Sequence, residues 1–158
     1  MKIRKARERD LDRLCELGYK LLKHHMKFRK YYTPVSEGKK RTRMQKKYYK
    51  EHIKKRSCLF LVLEQDDNAV GYSIAKIEKS PPVLNEKEYG NFAEIYVDRG
   101  YRNKGWGRKL LEKSLGWFRR RGVKRSTVKY DAKNPEGERF YRTAGFRPFQ
   151  NEYEVYLK

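Results

Sequence analysis

From Glu94 to Gly107 the chain reads Glu94-Ile95-Tyr96-Val97-Asp98-Arg99-Gly100-Tyr101-Arg102-Asn103-Lys104-Gly105-Trp106-Gly107. A β-prone apolar run stops, a short basic loop follows, and two glycines open an amphipathic helix. Gly107, Leu110, Leu111, Leu115 and Phe118 form that helix's apolar stripe. A strand that feeds a helix in this way leaves the first-turn N–H groups unpaired, here with Arg102 and Lys104 beside them. Such a helix start suits a phosphate or pyrophosphate. The remaining chain must build a fold around this strand–loop–helix unit.

Taken in order, Ile3 to Ala6 can open the chain as a strand. Acidic Glu8, Asp10 and Asp12 then precede Leu11, Leu14, Leu17, Leu21 and Leu22 at helical spacing, which predicts a helix over about Asp10 to His25. Tyr31-Tyr32-Thr33-Pro34 reads as a loop. Met44, Tyr48 and Ile53 mark a second, very basic helix from about Lys40 to Lys55. Cys58 to Glu64 is a continuous apolar run of strand length, which requires cover on both faces. Gln65 to Asn68 supplies a turn, Val70 to Ile77 returns as the partner strand, and 83–90 form a polar connection. Asn91 to Asp98 is the strand that enters the basic loop. The helix beyond runs from Gly105 to about Arg121, with Gly122 placed just past its end. Ser126 to Tyr130 alternates as a strand. Asn134-Pro135 reads as an N-cap and first helical residue of a short helix that carries Phe140 and Tyr141 and stops at Gly145. Phe146 to Phe149 and Tyr153 to Leu157 read as two closing strands. No repeat or linker interrupts 1–158, so a single α+β domain is expected.

Composition narrows the function classes. Residues 1–56 carry 21 Lys and Arg against 6 Asp and Glu, and the remainder 20 against 14. A positive field concentrated in the first third attracts polyanions, whether cofactor, substrate or nucleic acid. No apolar run reaches membrane-spanning length, and the charged N-terminus lacks the apolar core of a signal peptide. Cys15 and Cys58 are far apart without paired spacing and read as reduced, packed thiols. A cytoplasmic protein with no membrane association is the expectation. His24 and His25 have no metal-spaced partner, so no metal site is expected.

Three phosphate loops compete for the glycines. A Walker A loop fails because Trp106-Gly107 stands where Lys and a hydroxyl are needed. A dinucleotide fingerprint fails at Leu110, where a third glycine is required. The pattern that fits is R-x-x-G-x-G after a strand, met as Arg102-x-x-Gly105-x-Gly107. With Tyr96-Val97-Asp98 before it, Leu110-Leu111 after it and Asn134…Phe140-Tyr141…Gly145-Phe146 downstream, the chain resembles the GNAT superfamily of N-acetyltransferases over nearly its whole length.

The resemblance implies a GNAT fold: a mixed, mostly antiparallel sheet of six to seven strands with about four helices. Its central strands splay, and the strand before the loop bulges, so that the pantetheine arm of acetyl-CoA pairs with the exposed backbone. The implied cofactor-binding set is Ile95, Tyr96, Val97, Arg102, Asn103, Lys104, Gly105, Trp106, Gly107, Arg108, Asn134 and Phe140. A backbone N–H near Val97 is the implied oxyanion donor. For Gly105 and Gly107, a Cβ would crowd the phosphate or occlude the amides. Trp106 is expected to pack beneath the loop. Asn134 would contact the pantetheine arm while also serving as N-cap.

Acetyl transfer from a thioester to an amine needs a neutral amine, a stabilised oxyanion and a proton for the departing thiolate. Tyr141 matches the family's general acid, since a free tyrosine, with pKa about 10, stays protonated at neutral pH. Glu94 is the candidate general base, an acid in an apolar stretch where burial raises the pKa. Ala93 occupies a neighbouring position where relatives carry the carboxylate, and ordered water is the alternative base. The expected function is acetyl-CoA-dependent transfer to a primary amine of a small molecule or protein, with a homodimer left open. The competing reading is a basic nucleic-acid- or ribosome-associated binding module on the same scaffold. The basic run from Lys39 to Arg56 favours an acceptor on an acidic macromolecule and disfavours a polyamine.

Overall fold

A strand that is apolar on both faces needs two covering layers, and Cys58–Gln65 has them. In the computed structural model, which describes residues 1–157, this strand (β2) sends Phe60 and Val62 into one core and Leu59, Leu61 and Leu63 into another. All five are buried. Asp66 and Asp67, with φ of +48° and +59°, form a tight two-residue turn into β3, Asn68–Lys79. Two consecutive left-handed residues match the twist of the flanking strands, and aspartate tolerates that conformation. Strand β1, Lys2–Lys5, pairs with β2, and β4, Glu88–Val97, pairs with β3, all antiparallel. Strand β5, Ser126–Val128, adds to β4 in parallel, giving the order β1-β2-β3-β4-β5.

Helices α1, Leu11–Met26, and α2, Gly38–Lys54, cover one face, burying Leu14, Leu17 and Tyr49 against Phe60, Val62, Tyr72 and Ile74. Helix α3, Trp106–Arg120, covers the other with Leu110, Leu111 and Phe118. The short α4, Pro135–Thr143, joins that side through Phe140. Gly122 has φ of +76°, the left-handed residue that ends α3. The α+β class, the mixed sheet and the four helices are as expected from the sequence. No helix among the described residues is long and apolar enough to cross a membrane.

The strand count is not as expected. Five strands are present among the described residues, against six to seven. Neither Phe146–Phe149 nor Tyr153–Leu157 forms a strand, and Ser126–Tyr130 shortens to Ser126–Val128. Alternation makes a strand only where a neighbour supplies the ladder, and Pro148 removes one donor from the first segment. The terminal segment is instead tied by side chains, Glu152 to Lys129 at 3.0 Å and Glu154 to Arg29. Its apolar members are exposed, Tyr153 by 91% and Leu157 by 90%.

One carboxylate is placed inside the sheet. Glu64 on β2 is buried beneath Arg4, which hydrogen-bonds it and also grips Asp10 through both terminal nitrogens at 2.7 and 2.8 Å. Lys2 lies 2.8 Å from its other oxygen. The hydrogen bond from Arg4, then that from Lys2, brings the Glu64 pKa down to about 2. A depressed carboxylate pKa stabilises the fold above the unfolded value and loses that contribution as pH falls through the folded one. Unfolding by urea at a series of pH values should therefore show stability falling from about pH 4.5 towards pH 2. Glu64→Gln should be less stable at neutral pH and lose less over that interval. An unchanged acid slope in the variant would place the effect elsewhere.

Candidate active site

Strand β4 positions the site because its two edges are occupied differently. Towards β3 the Asp98 N–H donates to Val70 O at 2.8 Å, so that pair is a hydrogen-bonded one. Antiparallel pairs alternate. With Gly71 opposite Val97, Tyr72 opposite Tyr96 and Ser73 opposite Ile95, the backbone of Tyr96 faces β3. The N–H and C=O groups of Ile95 and Val97 face the other way. The Val97 carbonyl agrees, accepting from Arg102 Nε at 2.8 Å.

On that other side β5 runs beside β4 only as far as Phe92 opposite Val128. Beyond this point the ladder ends, and the outward groups of Ile95 and Val97 line a slot. The register slips between Ile74–Glu94 and Ala75–Phe92, so Ala93 is an extra, bulged residue. A bulge switches the faces on which the residues after it lie. Phe92 enters the α3 core, whereas Glu94 lies on the α1–α2 face with Tyr72 and Tyr49.

The loop beyond β4 is built from local hydrogen bonds. The Asp98 carboxylate accepts from the Arg99 N–H at 3.0 Å and is met by Lys20 at 2.7 Å. Against burial, these contacts hold its pKa below the usual carboxylate value. A single turn over Arg99–Tyr101 leads to Asn103 at φ +58° and Gly105 at φ +77°, and α3 starts at Trp106. No atom would meet a Cβ on Gly105, so its backbone conformation is what calls for glycine. Gly107 differs: a Cβ there would lie 3.3 Å from the Phe140 ring, so a larger residue would need that ring to shift by a few tenths of an ångström.

Arg102, Lys104 and Arg108 surround this helix start. Arg102 is held on Val97 O, Lys104 on Gly100 O at 3.2 Å, and Arg108 on Glu112 and Thr143 O. Asn103 is exposed. Trp106 is half-buried in the α3-side core with Lys109 Nζ 4.2 Å from its ring centre.

Helix α4 brings the remaining expected residues. Asn134 caps it by accepting from the Gly137 N–H at 3.0 Å and is buried. Tyr141 is buried among Phe140, Phe146 and Tyr130, with ring centres 5.1, 5.7 and 6.0 Å away. Burial raises its pKa well above that of a free tyrosine, so the phenol is protonated throughout the neutral range. Phe146 also packs on Phe92, placing Tyr141 on the α3 side of the sheet.

Glu94 occupies the opposite side. Its Oε2 accepts from the Tyr72 hydroxyl at 2.6 Å and the Tyr49 hydroxyl at 2.9 Å. Burial raises its pKa, and the hydrogen bonds from Tyr72 and Tyr49 hold that rise back. Neither tyrosine is legible in the sequence as a site residue. Tyr49 sits on a helix marked only by its apolar stripe, and Tyr72 lies mid-strand. His24 and His25 pack edge-on against Phe28 and Tyr32. Burial lowers both of their pKa values. A cavity of about 700 Å³ is lined by Lys79, Ser80, Arg121 and Val123 among others and shares no residue with the cradle.

Comparison with known proteins agrees with this layout. The family model described as acetyltransferase (GNAT) family matches residues 22–146. An uncharacterized N-acetyltransferase of Methanocaldococcus jannaschii is 28% identical over 150 residues, covering 91% of this chain and 59% of that protein. The chain thus spans less than two thirds of the length of that curated relative. Among solved structures, a tetramutant of the BH1408 protein of Bacillus halodurans superposes with a TM-score of 0.86 at 20% identity, covering 99% of this chain and 100% of that one. A predicted acetyltransferase of Clostridium acetobutylicum, solved with acetyl-CoA, has a TM-score of 0.79 at 14% identity, covering 99% and 96%. These two likenesses establish the fold.

Proposed function

The chain belongs to the acetyltransferase (GNAT) family, and from that premise we propose that it moves an acetyl group from acetyl-CoA to a primary amine by direct attack on the thioester. The observation that carries this reading is the open edge of β4 beside the N-terminus of α3. The outward backbone of Ile95 and Val97 suits the amides of a pantetheine arm. The free amides at the start of α3, with Arg102, Lys104 and Arg108 around them, suit its pyrophosphate. The acetyl-CoA-bound Clostridium acetobutylicum protein of the same fold supports the same ligand here.

The chemistry divides across the sheet. Glu94, on the α1–α2 side, takes the proton from the attacking amine as the C–N bond forms. The Val97 N–H donates to the thioester oxygen as it becomes anionic. When the C–S bond breaks, Tyr141 on the α3 side gives its proton to the thiolate. Base and acid on opposite sides of β4 are what attack from one side and departure to the other require. Thiol release from acetyl-CoA across a panel of amines and peptides tests the reading, with calorimetry for acetyl-CoA itself. Failure to bind acetyl-CoA would remove it.

The charge on α2 supports an acceptor carried on an acidic, nucleic-acid-associated macromolecule. Gly38–Lys54 holds eight Lys and Arg against one acid, and its inner face contributes Tyr49 to Glu94, so it borders the acceptor side. Lys39, Lys40, Arg43 and Lys47 are exposed. If these four meet phosphates, acetylation of such an acceptor should fall on the order of 10²-fold between 50 and 200 mM salt. A salt-independent rate would exclude a phosphate-bearing acceptor and leave a small amine or a protein N-terminus.

A further inference from the structure

Three polar side chains line up behind Glu94 in a single direction of donation, and a fourth joins it from the sheet. On α2, Arg41, Gln45 and Tyr49 recur every four residues and so share one helix face. Arg41 Nη1 donates to Gln45 Oε1 at 2.6 Å, and Gln45 Nε2 donates to the Tyr49 hydroxyl at 3.0 Å. Tyr49 donates in turn to Glu94 Oε2 at 2.9 Å, and Tyr72 reaches the same oxygen from β3 at 2.6 Å. Each donor polarises the next, so the chain delivers the pull of a guanidinium to a carboxylate it does not touch.

Helix α1 is cut to let this chain pass. A Cβ on Gly18 would fall 2.0 Å from the Tyr49 hydroxyl oxygen and 2.2 Å from Gln45 Nε2. The polar ends of both residues therefore lie directly over the one buried glycine of α1. Tyr72 is fully buried and Tyr49 almost so. A core needing only packing would carry phenylalanine at both positions, because a buried hydroxyl gives no net gain without a partner. Here the partner is one oxygen of Glu94. The other, Oε1, accepts from no side chain within hydrogen-bond distance among the described residues; the Tyr48 hydroxyl is the third phenol facing the carboxylate, and Glu94 as a whole is half-buried.

We propose that Tyr49 and Tyr72, with Gln45 and Arg41 behind Tyr49, are positioning residues for Glu94: they clamp Oε2 and leave Oε1 as the atom that receives the proton of the acceptor amine. The inference rests on Glu94 being the base. The titratable and charged groups facing Glu94 are Tyr72 and Lys76 from β3 and Tyr48 and Tyr49 from α2. Tyr49 and Tyr72 lie within hydrogen-bond distance of Oε2, and Tyr48 is a weaker, longer-range donor to the same carboxylate. Removing a hydroxyl that donates to a carboxylate favours the protonated acid, so Glu94 should titrate at higher pH without either one.

Two measurements on the full chain test this. The Glu94 carboxyl is followed by carbon NMR of glutamate-labelled protein, which needs no activity. The pH profile of kcat/KM is measured beside acetyl-CoA affinity. Tyr72→Phe and Tyr49→Phe should each move the carboxyl titration about one pH unit upward. The acidic limb of kcat/KM should move with it while acetyl-CoA affinity stays constant. Gln45→Leu should give a smaller displacement in the same direction, and none when added to Tyr49→Phe. Gly18→Ala should reproduce Tyr49→Phe although it removes no polar group. A carboxyl titration unmoved in folded Tyr49→Phe and Tyr72→Phe overturns the proposal. If the titration moves but Glu94→Gln turns over normally, the base assignment fails and the positioning role fails with it. If Gln45→Leu has no effect, the chain behind Tyr49 is refuted.

Discussion

Replacing Tyr141 by phenylalanine is expected to slow acetyl transfer by roughly 10²–10⁴-fold with acetyl-CoA affinity unchanged. The substitution isolates the hydroxyl, because Phe140, Phe146 and Tyr130 contact the ring and a phenyl ring keeps those contacts. In the proposed mechanism the hydroxyl has a single task, protonating the thiolate that leaves. The defect should therefore shrink when the acyl donor carries an aromatic thiol, whose thiolate needs no proton. Because burial raises the Tyr141 pKa, the parent enzyme should show no loss of kcat from this group as pH rises through the neutral range. Equal turnover in Tyr141→Phe would reduce Tyr141 to a packing residue of the α3-side core.

Val97→Pro is the second large effect, expected to lower kcat by about 10²–10³-fold, the usual cost of one oxyanion donor. Proline removes one N–H. Alternation along β4 turns that N–H to the slot and not to β3, so the ladder keeps its bonds. The preceding residue, Tyr96, is in a strand, the conformation proline prefers before it. The variant should fold with a modest loss of stability and bind acetyl-CoA more weakly, so the loss in kcat is read at saturating acetyl-CoA. A collapse in melting temperature would mean that the N–H belongs to the ladder. Full activity in a folded variant would mean that the oxyanion is met elsewhere.

The two expectations differ in how they arise from the chain. Tyr141 is legible in the sequence, since Asn134-Pro135 starts a short helix, Gly145 ends it, and the motif between them has a known counterpart. The Val97 donor is legible only by resemblance. Its direction depends on which strand pairs with β4, and on where β5 stops.

Glu94 shows the same division more sharply. Its position on the strand and its acidity are in the sequence, and so is the expectation that burial raises its pKa. The Ala93 bulge decides that it faces α1 and α2, and no local pattern marks that bulge. Its hydrogen-bond donors come from residues 45 and 22 positions away.

The terminal segment makes the converse case. Tyr153 to Leu157 has the alternation of a strand, and without a neighbouring ladder it remains irregular and exposed. In the sequence Gly107 reads as room for a phosphate, yet its Cβ position is limited by Phe140, 33 residues on.

By itself the sequence determined every element whose cause lies within a turn or two. These are the doubly apolar β2, the Asp66-Asp67 hairpin, the stripe of α3, the caps at Asn134 and Gly122, and the basic loop opening into a helix. Propensity, capping and hydrophobic period act over a few residues and can be read there. Tertiary structure alone decided the number of strands, the face on which Glu94 lies, that Ile95 and Val97 but not Tyr96 turn their backbone to the slot the resemblance implied, and the tyrosines that hold the carboxylate. Each depends on which distant backbone or side chain completes a ladder or a hydrogen bond, and partners that far apart leave no period in the chain.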